Sequence, residues 1–139
     1  MNSMASPGGG ITGTDPADAR VRRLIANAMT ESSEIASVVV GDASGLPIAG
    51  LVRGSIPMMT VTAIAAMSAR SAEEAAAEVD LDRPSRVVVE TSRGDLVMIS
   101  LDGVRAYLIA IVSPRADRSG PLDVLDRLAR DIAEALARM

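Results

Sequence analysis

Residues 35–79 read IASVVVGDASGLPIAGLVRGSIPMMTVTAIAAMSARSAEEAAAEV, and the reading of this stretch decides the fold. The apolar run Ile35–Val40 meets a turn cluster, Gly41-Asp42-Ala43-Ser44-Gly45. A second apolar run, Leu46–Val52, follows at once, which is the pattern of a β-hairpin. Gly54 and Pro57 break the extended pattern. From Met58 to Val79 there is neither Pro nor Gly and Ala abounds, so this segment is predicted to be a long helix.

Working outward, residues 1–14 are rich in Gly and Ser and are expected to form a flexible tail. The folded domain is expected over 15–139. Asp15-Pro16 is a helix start, with Asp as cap and Pro at the first helical position. Val21, Leu24, Ile25, Ala28 and Met29 then recur at helical spacing, and the helix ends near Ser32-Ser33. Beyond the long helix, Asp80–Pro84 is a polar connection. Arg86–Thr91 reads as a strand, Arg93-Gly94 as a tight turn and Asp95–Leu101 as the next strand. Asp102-Gly103 has the composition of a type I′ hairpin turn, leading into Arg105–Val112. After a loop over Ser113–Gly120, Pro121 opens a last helix with Leu122, Leu125, Leu128, Ile132 and Leu136 on one face.

The order is helix, two strands, helix, three strands, helix. Ile35–Val40 and Ala106–Val112 are apolar on both alternating faces, so they belong in the middle of a sheet covered on both sides. Pro47 places Leu46–Val52 on an edge. Arg86–Glu90 alternates charge with Val, which suits the other edge. Joining the two hairpin units through their central strands gives a five-stranded antiparallel sheet of order 2-1-5-4-3, an α/β fold. One helix lies on one face, and the N- and C-terminal helices lie on the other.

Composition narrows the function. At 139 residues with 48% hydrophobic content, the chain is long enough and apolar enough to bury a single core. No apolar run approaches the roughly 20 residues of a membrane helix, so no membrane insertion is expected. The first residues lack the basic and apolar regions of a secretory signal, and a soluble, cytoplasmic protein is expected. The chain has no His and no Cys, and all 14 of its basic residues are Arg. Thiol nucleophiles, histidine bases, zinc sites, Schiff-base lysines and a phosphate-loop lysine are thereby excluded. A net charge of −4 argues against a nucleic-acid surface.

Candidate sites divide accordingly. Gly41-Asp42-Ala43-Ser44-Gly45 lacks the Gly-Lys-Ser/Thr ending of a phosphate loop and opens no helix, so it is a hairpin turn. Asp42 and Asp102 have backbone roles in their turns. Glu73, Glu74 and Glu78 read as a solvated helix face, with Arg70 one turn earlier for local ion pairing. No Ser has a base to activate it, and catalytic, cofactor and metal residues are all expected to be none. The long helix is the informative element. Val61, Ile64, Ser68, Ala72, Ala75 and Val79 form one stripe, expected to cover the sheet. Met59, Ala63, Ala66, Met67 and Arg70 form a second, whose small residues and Met suit close approach of another helix. A two-fold contact centred near Met67 would let Arg70 reach the partner's Glu74, and the edge strand carrying Val87 and Val89 would add main-chain pairing.

Several of these segments resemble the Roadblock/dynein light-chain domain family. The hairpin Val38-Val39-Val40-Gly41-Asp42-Ala43-Ser44-Gly45-Leu46-Pro47-Ile48-Ala49 is similar to the family's hairpin, with its Gly-Leu-Pro-Ile-Ala core. The Ala-rich helix, the Arg86–Glu90 strand and Gly94-Asp95-Leu96-Val97-Met98-Ile99 fit the same pattern, which runs from about Asp15 to the C-terminus. The loop Asp117-Arg118-Ser119-Gly120-Pro121 departs from it. The resemblance implies a non-catalytic scaffold that dimerises through its long helices and third strands and regulates a Ras-like small GTPase. The rival reading is a sensory or small-ligand-binding domain of similar layout, against which one Tyr and no Phe or Trp leave little to cage a ring.

Overall fold

The computed structural model describes residues 16–114 and 119–138. The tail 1–14, the Asp15 cap and residues 115–118 of the last loop lie outside the described residues. The elements are α1 (Pro16–Glu31), β1 (Ile35–Asp42), β2 (Pro47–Leu51), α2 (Met58–Glu78), β3 (Arg86–Thr91), β4 (Gly94–Ser100), β5 (Ala106–Val112) and α3 (Ser119–Ala137). Helix α3 begins two residues before Pro121. The proline still falls in the first turn, where backbone N–H groups have no intrahelical acceptor, so its missing donor costs nothing.

The five strands form one antiparallel sheet of order β2-β1-β5-β4-β3. The central pair runs in register with Val40 opposite Leu108 and Val38 opposite Ala110. Pro47 sits on the β2 edge and the Val/charge alternation of Arg86–Glu90 on the β3 edge, as the sequence requires. Strand β4 starts on Gly94 at φ +139°, where a Cβ would lie 2.7 Å from the Val112 carbonyl oxygen, so no other residue fits. The β4–β5 connection departs from the type I′ expectation. That turn needs positive φ at both central residues. Of the pair only Gly103 has it, at +76°. Residues 102–105 form a longer loop instead, closed by the Leu101 N–H donating to the Ala106 carbonyl at 3.0 Å.

Alternation along the strands feeds two cores. Helices α1 and α3 lie on one face, where Val21, Ile25, Ile35, Leu108, Leu125 and Ile132 are wholly buried. Helix α2 lies on the other, over a smaller cluster of Ala65, Ala69, Met98, Tyr107 and Ile109. Arg127 pairs with Glu31 to link α3 to α1, and both nitrogen–oxygen contacts of Arg86 with Asp126, at 3.0 and 3.2 Å, link β3 to α3. Half-exposed pairs of this kind add only about 0–1 kcal/mol each, so apolar burial dominates. Helix α2 ends in a Schellman arrangement. The Leu81 N–H reaches the Ala76 carbonyl at 2.8 Å and the Asp80 N–H reaches Ala77 at 3.1 Å, with Asp80 left-handed at φ +59°.

Candidate functional site

Helix α2 is aimed by its two flanks. Pro57, extended at φ −76° and ψ 101°, precedes its first turn. The tip of the β1–β2 hairpin then clamps its second turn. The Asp42 carboxylate accepts the Ser44 hydroxyl at 2.6 Å, the Ser44 N–H at 2.9 Å and the Leu46 N–H at 3.0 Å. Burial pushes the Asp42 carboxyl up, but hydrogen bonds from the Ser44 hydroxyl and from the backbone of Leu46, Ser44 and Gly45 outweigh it. The group titrates below the ordinary carboxylate range. The backbone role expected of Asp42 is therefore present. Gly45, at φ +93°, lies so close beneath α2 that a Cβ would stand 3.0 Å from the Ala63 Cα. Its carbonyl accepts the Thr62 hydroxyl at 2.8 Å.

This clamp fixes which way each face of α2 points. Met58, Thr62, Ala65, Ala66 and Ala69 are buried against the sheet. At 100° per residue, the side bearing Ala63 and Arg70 faces the hairpin tip, where Arg70 Nη1 donates to the Ala43 carbonyl at 3.3 Å. The side bearing Val61 faces β4 and β5, where Val61 packs on the cluster containing Met98 and Ile109. Met59, at 64% exposure, and Met67, at 60%, form an apolar strip with the exposed Ala63. Glu74 is also exposed on this side. Ala66 is buried, beneath that strip and not part of it.

The sheet-facing stripe expected from the sequence is rotated in the structure. Ile64 is 55% exposed, and Ala75 and Val79 are exposed too. Thr62 takes the buried position because its hydroxyl has the Gly45 carbonyl to bond. Its role was legible only in the helical spacing of Met58, Thr62, Ala65 and Ala69, which the surrounding Ala masks. Ile64 is thus a surface residue that the sequence reading placed inside. Arg70 pairs with neither Glu73 nor Glu74 in this chain. Glu73 is held by Arg83, from the connection after α2, at 3.0 Å.

Beside α2 the sheet is only partly covered. Val87, Leu96 and Ile111 are half-buried and Val89 is 44% exposed, all on the α2 face. Among the described residues, strand β3 has β4 on one side and no strand on the other. The arrangement is an apolar shelf beside an open sheet edge, flanked by an apolar helix. Its chemistry is that of contact with another polypeptide. Among the described residues no group of three acidic side chains could hold a metal ion, and no helix is long and apolar enough to cross a membrane.

No family model matches the sequence, and no curated protein matches it. Solved structures do match. The gliding protein MglB of Thermus thermophilus superposes with a TM-score of 0.82 at 15% identity, covering 94% of this chain and 98% of that one. Myxococcus xanthus MglB gives 0.81 at 11% identity, covering 92% and 96%. A Roadblock/LC7 domain from Streptomyces avermitilis gives 0.74 at 17% identity, covering 83% and 96%. The chain has the Roadblock/LC7 fold, over almost its whole length.

Proposed function

We propose that this protein is a non-catalytic, cytoplasmic, dimeric scaffold that binds a Ras-like small GTPase and modulates its activity or location. One observation carries the reading: the apolar strip of α2 and the apolar shelf of β3 are exposed side by side with a free strand edge. A monomer gains nothing from exposing Met59, Ile64, Met67 and Val89 together. The sequence resemblance supplies the class of partner. Another structure sharing the fold, an MglB with tetrameric arrangement (TM-score 0.78, 16% identity), supports association of copies. The absence of His, Cys and Lys supports a non-catalytic role.

The two exposed surfaces have different occupants in this proposal. A second copy adds its β3 to β3 across a two-fold axis and lays its α2 alongside, over Val87 and Val89. Because Val61 faces β4 and β5, the helix side turned toward that axis carries Ile64, Ser68 and Ala72, and the contact centres nearer Ile64 than Met67. Met59, Ala63 and Met67, on the hairpin side, are left for the GTPase, with Arg70 and Glu74 at the rim. The test uses purified small GTPases of the source organism, loaded with a non-hydrolysable GTP analogue. Met67→Asp should abolish binding by one of them and leave the dimer intact. Equal binding by wild type and variant contradicts the assignment, and no binding by any GTPase contradicts the function.

A further inference from the structure

A second surface feature shares Arg70 with the rim of the proposed GTPase contact but is argued from neither that contact nor the dimer. The C-terminal half of α2, the tip of the β1–β2 hairpin, the β4–β5 loop and the connection after α2 enclose a cavity of about 480 Å³. Arg70, Arg83, Arg105, Glu73, Tyr107 and the backbone of Ala43 line it. Three guanidinium groups thus share one cavity with one carboxylate, in a chain whose net charge is −4. Clustering of like charge against the sign of the whole molecule is unfavourable unless a counter-charge arrives.

The anchoring of each group leaves donors free. Arg70 spends one N–H on the Ala43 carbonyl at 3.3 Å, which holds its planar fork at the rim. Arg83 is held by Glu73 at 3.0 Å, which consumes the only carboxylate of the lining among the described residues. The Arg105 side chain has no acceptor among the described residues, while its carbonyl accepts the Ala43 N–H at 3.0 Å and fixes the base of the loop. Asp42 is not part of the described lining, and its Oδ1 accepts all three bonds from Ser44 and Leu46. Asp102 lines a neighbouring cavity, with Arg83 and Arg105 forming the wall between the two.

We infer that this cavity binds the phosphate of a phosphomonoester, through Arg70, Arg83 and Arg105. The lining carries two more positive charges than negative, and a phosphomonoester carries about −1.5 to −2 at neutral pH. Guanidinium forks match phosphate oxygens in pairs, where a lysine would offer a point charge. A volume within the roughly 300–1,000 Å³ range of small-ligand sites leaves room for the ester's carbon portion. Tyr107, the one aromatic residue of the chain, is 7% exposed, so it offers little ring surface to a base.

The test is a titration of the ¹⁵N-labelled full-length chain with inorganic phosphate at fixed ionic strength. The expected result is a set of saturable amide shifts confined to Ala43, Glu73, Arg105 and Tyr107. In Arg70→Gln/Arg105→Gln, with the remaining spectrum superposing on wild type, affinity should fall about tenfold or more. Diffuse, non-saturable shifts, or equal affinity in the double variant, overturn the proposal. Glycerol 3-phosphate and a phosphoserine peptide then distinguish a free metabolite from a phosphorylated protein segment by which one outbinds inorganic phosphate. If neither binds as tightly as inorganic phosphate, the cavity rejects esters and the proposal fails.

Discussion

The Thr62 hydroxyl donates to the Gly45 carbonyl oxygen across 2.8 Å, with both residues buried between α2 and the tip of the β1–β2 hairpin. Together with the packing of Gly45 beneath Ala63, this bond sets the rotation of α2, and with it which side chains the helix presents. Thr62→Val keeps the shape and leaves the carbonyl unpaired, at a cost of about 1–3 kcal/mol. Thr62→Ser keeps the donor and should lose less. Urea unfolding followed by circular dichroism checks the order, and a Val variant as stable as wild type contradicts the clamp.

The same hairpin tip makes a pH prediction. The Asp42 carboxyl titrates below its ordinary value of 3.8 in the folded chain because its hydrogen bonds favour the ionised form over the opposing effect of burial. A depressed folded value contributes stability that is fully present above the unfolded value and is lost as pH falls through the folded one. Asp42→Asn removes this contribution. The stability gap between wild type and variant should therefore be widest above about pH 4–5 and shrink steadily toward pH 2. A gap that does not change with pH contradicts the assignment.

Asp80 closes α2 in a left-handed conformation that glycine adopts without a Cβ penalty. Asp80→Gly should raise stability by about 0.5–1 kcal/mol, measurable as a rise of a few degrees in melting temperature. A lower melting temperature would show that the aspartate side chain contributes more than its backbone costs.

The sheet was legible in the sequence because its signals are local and redundant. Pro47 and the Arg86–Glu90 alternation marked the two edges, and the apolar runs of β1 and β5, apolar on both faces, marked the centre. The rotation of α2 was not legible. Its Ala residues fit either face, so the apolar period has no unique phase. The phase is set by the contact with Gly45 of Thr62, whose helical spacing with Met58, Ala65 and Ala69 the surrounding Ala masks. The same holds for Glu73. The rule of neighbours one turn apart pointed to Arg70, whereas the chain doubles back after Asp80 and brings Arg83 to it. The Asp102-Gly103 pair has type I′ composition, but the loop needs four residues to carry β4 into β5.

The central claim is that a second copy covers the shelf beside β3. Sedimentation equilibrium of the wild-type chain, Ile64→Asp and Val89→Asp tests it most directly. Both residues are exposed in the single chain, so neither change should disturb its own fold. Both would bury a charge at the proposed contact, at a cost of several kcal/mol. The account predicts a wild-type mass of twice the 14.3 kDa chain and the single-chain mass for each folded variant. A wild-type monomer, or variants that remain dimers as tight as wild type, would contradict it.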